Sequence, residues 1–280
     1  MRPVKIIRNS HAGPVGPPTG ACYSMAIGPA LGWGHRVADR LFEDPRLASI
    51  YDALDADRSD LDVYASMVEE FGGRRVLDVG CGTGTFAVLL AGRGVSVIGV
   101  DPALASLEVA RHKDPTGLVR WIHGDATALP AVQVDLATMT GNVAQVFTSD
   151  EDWSATLTAI RRSLGIGGLF IFESRDPKRR AWLEWSRDQT HRRVTVPDIG
   201  VIETWYEVLA VDGDLVSFRG TYVFETDSSV LTSDSTLRFR SLHQLHTTVT
   251  AAGFAIREVR DAPDRPGREF VVIAEAPDRE

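Results

Sequence analysis

Residues 76–85, Val76-Leu77-Asp78-Val79-Gly80-Cys81-Gly82-Thr83-Gly84-Thr85, decide how the rest of this chain is read. The apolar run ending at Val79 reads as a buried strand, and a helical pattern opens at Thr85. Between them, glycines at 80, 82 and 84 let backbone amides approach a ligand at the positive end of a helix. Many nucleotide sites share that plan, so the spacing matters. A dinucleotide fingerprint, G-x-G-x-x-G, would need glycine at position 85, where Thr85 stands, and a Walker loop would need a following lysine that is absent. Asp78 narrows the ligand further, because a carboxylate at a strand end repels a pyrophosphate and attracts an ammonium group.

Outward from the loop, short apolar runs alternate with amphipathic helices, the pattern of a parallel sheet covered on both faces. Strands are expected at 75–79, 95–100, 118–122, 134–139 and 169–173, and helices at 85–91, 103–112 and 151–164, the last closed by a turn at Gly165 to Gly168. Upstream, apolar residues recur at helical spacing from Gly34 to Phe71, which predicts three helices before the first strand. Downstream, a short helix over 179–187, carrying Trp182 and Trp185, leads into β-rich alternation at 194–196, 201–211, 215–224 and 230–239. Asp212-Gly213-Asp214 reads as a hairpin turn within it. A helix at 241–252 and strands at 254–259 and 269–274 finish the pattern. The expected organisation is a Gly- and Pro-rich flexible leader at 1–30, with Met25 a candidate start, and a helical cap at 31–72. A core at 73–175 and 241–280 then surrounds a β-rich lid at 176–240.

The composition is ordinary for a globular protein. The chain has 280 residues, and 30 Lys and Arg stand against 38 Asp and Glu, a net charge of −8 that attracts no polyanion. Nucleic acid is therefore not the expected partner. Two cysteines, Cys22 and Cys81, are too few for a disulfide framework, and no apolar run approaches the ~20 residues of a membrane span. These features, with no secretory signal at the start, lead to the expectation of a cytoplasmic protein without membrane contact.

Two further carboxylates complete a ligand site. Asp101 closes the second strand, where it can accept both hydroxyls of a ribose; it can equally cap a helix that begins at Pro102. Asp125, in Gly124-Asp125-Ala126, can accept an adenine amino group while Ala126 leaves room for the ring, although Gly-Asp-Ala alone also makes a plain turn. With V-L-D-V-G-C-G-T-G (76–84), G-V-D-P (99–102), H-G-D-A (123–126), D-L-A-T-M-T-G-N (135–142) and R-R-S-L-G-I-G-G-L-F-I-F (161–172), the chain resembles the class I S-adenosylmethionine-dependent methyltransferases of the small-molecule branch. That resemblance implies a Rossmann-like α/β sheet of seven strands in the order 3-2-1-4-5-7-6, its last antiparallel strand at 269–274. It also implies S-adenosylmethionine as cofactor, held by Asp78, Gly80, Gly82, Asp101, Asp125 and Ala126. Cys81, Pro102, Thr140 and Gly141 in the same motifs, and Tyr51, complete the cofactor-binding candidates.

Methyl transfer is an in-line displacement, so the protein's task is to hold the acceptor behind the methyl carbon and exclude water. The amino-methyltransferases of nucleic acids carry Asn or Asp followed by Pro-Pro and an aromatic after the fourth strand; this chain has Thr140-Gly141-Asn142. Gly141-Asn142 is similar to the glycine N-methyltransferases, which also place an Arg just past the fifth strand to bind the substrate carboxylate. Arg175 matches that place, and a salt bridge to Asp176 or Glu173 is its alternative role. Asn142, Arg175 and His191, whose imidazole suits general-base work, are the catalytic candidates. Tyr51 can equally be a core aromatic and His191 a surface residue. The pair His243 and His246 reads as a solvated helix face and no metal is expected; Lys178-Arg179-Arg180 reads as a solvated helix start. The expected activity is methylation of a small-molecule nitrogen or oxygen. The competing expectations are a cofactor-binding sensor or partner subunit without transfer activity, and a nicotinamide-dependent oxidoreductase, which the glycine spacing and Asp78 disfavour.

Overall fold

The structure, a computed structural model, describes residues 38–278. The expected leader, Met25, Cys22 and the first residues of the expected cap lie outside the described residues. Helices α1 (Arg40–Glu43), α2 (Pro45–Leu54) and α3 (Asp60–Glu70) precede strand β1 (Arg75–Val79). Then come α4 (Thr85–Gly92), β2 (Ser96–Asp101), α5 (Leu104–Lys113), β3 (Val119–His123), β4 (Val134–Met139), α6 (Asp150–Ser163) and β5 (Leu164–Arg175). After α7 (Arg187–Thr190) run β6 (Arg192–Val196), β7 (Gly200–Asp212), β8 (Leu215–Phe224) and β9 (Ser229–Arg238). Helix α8 (Leu242–Ala251) and strands β10 (Ala255–Asp261) and β11 (Glu269–Glu275) follow.

The main sheet has seven strands in the order β10-β11-β5-β4-β1-β2-β3. Taken from the β3 edge this is the expected 3-2-1-4-5-7-6. Strands β1 to β5 pair in parallel, and β11 runs antiparallel to both β5 and β10. Successive residues of each central strand serve opposite faces, which is why the runs read as continuously apolar. Leu77, Ala137, Phe170, Phe172 and Val272 face Trp153 and Leu157 of α6 and Leu245 of α8. Val76, Leu136, Leu169, Ile171 and Val271 face Tyr64 and Met67 of α3 and Phe86 and Leu90 of α4.

Strands β6 to β9 form a separate four-stranded antiparallel sheet, with Gly213 and Asp214 as the two-residue β7–β8 turn. Its apolar face packs on the N-terminal helices: Val196, Ile202, Tyr222 and Phe224 enclose Leu47, Ile50 and Leu54 of α2. Helix α2 starts where Asp44 accepts the Arg46 amide at 3.0 Å ahead of Pro45, and α8 where Ser241 and Gln244 close a capping box.

Three local expectations are corrected. Gly165 to Gly168 do not form a helix-ending turn but begin β5, because Leu164 already pairs with Val134 and the Gly167 amide donates to the Ala276 carbonyl at 2.8 Å. The expected helix over 179–187 is replaced by two 3-10 turns, Pro177–Arg179 and Ala181–Glu184, separated by Arg180 at a left-handed φ of 48°. That break lets both Trp182 and Trp185 pack on Phe239, at 4.6 and 6.0 Å between ring centres. Finally, α5 begins at Leu104 with Ala103 as its cap, so Pro102 is not its first residue and Asp101 not its N-cap.

Candidate functional site

The carboxyl ends of β1, β2 and β4 open into one cavity, at the edge where open α/β sheets bind ligands. Every cofactor-binding candidate lines it: Tyr51, Asp78, Gly80, Cys81, Gly82, Asp101, Pro102, Asp125, Ala126, Thr140 and Gly141. The glycine loop makes the floor. The Gly80 and Cys81 amides both donate to the Val100 carbonyl, at 2.9 and 3.2 Å, which draws the loop across the end of β2. Gly80 has φ +72°, and a Cβ there would lie 2.6 Å from Val143 Cγ1, so neither the backbone nor the space admits a side chain.

Asp78 is 1 % exposed and its carboxylate accepts the Thr138 hydroxyl at 3.0 Å. Burial pushes its acid up to about 7, with the Asp101 charge adding to the rise and the Thr138 bond opposing it. A carboxylate kept inside a cavity against that cost is primed for a cationic group. Asp101 is committed differently. One oxygen accepts the Gly82 amide and the other the Ala103 amide, each at 2.8 Å, so this carboxylate fixes the glycine loop to the start of α5. Burial raises its acid, and these two bonds oppose the rise. Asp125 accepts the Thr127 amide at 2.8 Å and caps the short turn Ala126–Ala128.

The N-terminal helices form the roof. Phe42 and Tyr51 line the cavity and pack with tilted rings, centres 5.5 Å apart and planes at 59°. Burial pushes the Tyr51 phenol up to about 12, with Arg58 pulling the other way. Four polar contacts hold the roof down. Thr83 and Thr85 donate to Asp52 at 2.6 and 3.2 Å, Lys113 meets the other Asp52 oxygen at 2.6 Å, and Glu43 accepts the Leu104 amide at 3.0 Å.

The catalytic candidates lie elsewhere. Asn142 and Arg175 sit together in a buried polar cluster at the end of β5. The Asn142 amide donates to Glu173 at 2.9 Å and its side chain to Glu269 at 3.2 Å. Arg175 donates to Gln145 at 3.0 Å and pairs with Glu269 at 3.6 Å, so neither Asp176 nor Glu173 is its ion partner. Burial, then the neighbouring Glu269, pushes the Glu173 acid up to about 7. His191 caps α7 just before β6, 3.6 Å from Glu203 and against the Trp205 ring of β7, and does not line the cavity. Among the described residues no group of His, Cys, Asp and Glu has the arrangement of a metal site, and no helix is long and apolar enough to cross a membrane.

Sequence reasoning missed Arg58, Asp52 and Thr236. Arg58 is the one cation among the described lining residues, and its fork rests on Asp60 at 3.1 and 3.2 Å. Nothing in its neighbourhood marks it, since its relation to Asp78 exists only once α2 folds over the loop.

Residues 76–168 match the family described as a methyltransferase domain. Among curated relatives, the cypemycin N-terminal methyltransferase of a Streptomyces species is 35% identical over 106 residues, 38% of this chain and 43% of that protein. The ubiquinone biosynthesis O-methyltransferase of Dinoroseobacter shibae is 34% identical over 142 residues, 46% of this chain and 56% of that protein. The chain thus spans about half the length of the curated relatives it matches. The structure also resembles the S-adenosylmethionine-bound amino pentose methyltransferase of Micromonospora echinaspora, with TM-score 0.62 and 20% identity over 81% of this chain and 96% of the other. The strand order and the glycine loop are those of the Rossmann-like methyltransferase fold, and residues 76–168 within it match a methyltransferase domain.

Proposed function

We propose that this protein transfers a methyl group from S-adenosylmethionine to a nitrogen or oxygen of a small molecule. One observation carries the reading: a buried carboxylate, Asp78, and one cation, Arg58, line a cavity otherwise made of apolar side chains, backbone and neutral or acidic groups. An α-amino acid end needs that pair, a carboxylate for its ammonium and a guanidinium for its carboxylate. Asp101 would take ribose hydroxyls on the lone pairs left by Gly82 and Ala103, and Asp125 with Ala126 would receive the adenine edge. Gly82, with no atom within 4 Å of where a Cβ would stand, leaves the floor open for backbone to meet ligand. When bound, the cofactor supplies an electrophilic methyl on a sulfonium.

The chain's own contribution is orientation and exclusion of water. Phe42 and Tyr51 close the roof, and Val143, Val146 and Phe147 form an apolar wall. With a phenol pushed up to about 12, Tyr51 stays neutral and offers a hydroxyl without a competing charge. On the acceptor side, Arg175 is 22% exposed and its guanidinium lies 5.8 Å from the Trp185 ring, a placement suited to an acceptor carrying an anionic or aromatic group. Asn142 supports the wall through its backbone, whereas His191, outside the cavity lining, has no place beside the methyl carbon. The net charge of −8 favours a small molecule over a nucleic acid as acceptor. Incubation with methyl-labelled cofactor and a panel of amines, phenols and amino acids tests the reading. Label transfer to one class supports it; tight binding of S-adenosylhomocysteine with no transfer to any would replace it with a sensor.

A further inference from the structure

The segment from Thr140 to Phe147 walls the cavity, and its shape is set from behind. Gly141 and Asn142 both adopt left-handed backbone angles, φ 70° and 60°, a region that a side-chain-bearing residue enters at a cost. Glu173 holds Asn142 there by accepting its amide at 2.9 Å, while the Tyr64 hydroxyl of α3 donates to the other Glu173 oxygen. The Asn142 carbonyl then accepts the Gln145 amide at 2.9 Å, which opens the 3-10 turn Val143–Val146. That turn presses Val143 onto Gly80 and places Val143, Val146 and Phe147 in the lining. Glu173 is itself 5 % exposed and does not line the cavity. Its neighbours Phe170, Ile171 and Phe172 are apolar and buried, so a carboxylate at this place in β5 costs desolvation that an apolar residue would avoid.

We propose that Glu173 is a positioning residue for the cofactor: by holding the Asn142 amide it fixes the turn that seats Val143 on Gly80 and forms the cavity wall. The proposal rests on reading the cavity as an S-adenosylmethionine site. A carboxylate suits the task because it accepts two donors from different elements, Asn142 after β4 and Tyr64 on α3, and a charged acceptor strengthens both bonds. The effect reaches the ligand only through the wall.

The test uses the full chain, isothermal titration with S-adenosylhomocysteine, and hydrogen exchange of peptides covering 140–147. Glu173→Leu is expected to weaken binding by about tenfold or more, the loss of a charge-assisted bond, and to speed exchange in 140–147 but not in β2. Glu173→Gln, whose carbonyl still accepts the Asn142 amide, is expected to bind within about threefold of the wild type. Should Glu173→Leu fail to fold, Glu173→Asp, which withdraws the oxygens by one methylene, carries the same expectation of weaker binding and locally faster exchange. Wild-type affinity and exchange in the Leu or Asp variant would overturn the proposal, as would a loss in Glu173→Gln equal to that in Glu173→Leu. Failure of the wild type to bind S-adenosylhomocysteine would instead overturn the reading of the cavity itself.

Discussion

Thr83 donates its hydroxyl to Asp52 across 2.6 Å, joining the second residue before α4 to the last turn of α2. Thr85 and Lys113 meet the same carboxylate, so one side chain ties the roof of the cavity to its floor and to α5. Asp52→Ala should therefore loosen the roof more than the fold. The pair with Lys113 is about a third exposed, so the expected cost is about 1 kcal/mol in denaturant unfolding. Release of S-adenosylhomocysteine, followed by stopped-flow fluorescence, should quicken severalfold; an unchanged rate would show that α2 does not hold the ligand in.

Asp78→Asn keeps the shape and the Thr138 contact but removes the charge. Binding of S-adenosylhomocysteine should fall by about a hundredfold, in line with the loss of one partner from a buried ion pair. Binding of methylthioadenosine, which lacks the amino acid end, should change little. Arg58→Met should show the same contrast between the two ligands. Equal loss of both ligands in either variant would assign these side chains to the fold instead.

The pH dependence follows from Asp78. A bound ammonium needs the ionised carboxylate, and burial holds the acid near 7, so affinity should fall by up to about tenfold per pH unit below 7 and level off above it. Without ligand the sign reverses. The raised value favours the protonated fold, a contribution that is complete below the ordinary value of 3.8 and is lost as pH rises through about 7. Titration calorimetry near pH 6 in two buffers of different ionisation enthalpy should detect a released proton. Its persistence in Asp78→Asn would move the assignment to Glu173, whose acid is also pushed up to about 7.

Gly80→Ala combines a φ of +72° with a contact 2.6 Å from Val143 Cγ1. The strain and overpacking should cost about 1–3 kcal/mol in denaturant unfolding and weaken S-adenosylhomocysteine binding alongside. A variant as stable as the wild type would mean that Val143 moves freely, contrary to its packing on the loop.

What was legible in the sequence was local. The glycine loop announces itself because strand, turn and helix start are contiguous, and Asp78, Asp101 and Asp125 each close or follow a strand at a fixed place in that pattern. The strand order followed from resemblance to a family and was found as expected. Less legible were features set by distant partners. Arg58 and Asp52 acquire roles only when α2 lies over residues 83 to 85, and Glu173 looks like the polar end of a strand until Asn142 and Tyr64 arrive. The misplaced helix at 179–187 has the same origin, since Trp182 and Trp185 answer to Phe239 rather than to helical spacing.

Helix α2 touches both halves of the active region. Asp52 grips the glycine loop, while Arg46, six residues earlier in the same ten-residue helix, lies 3.6 Å from the Phe224 ring centre and bonds to Ser229 on the second sheet. A helix of under three turns is stiff, so a displacement at one end is felt at the other. On the proposed reading of the cavity as the donor site, its occupancy is expected to reach the second sheet through α2. The steady-state pattern expected of such a linkage is ordered, donor first and spent donor last, with spent donor competing against donor and not against acceptor.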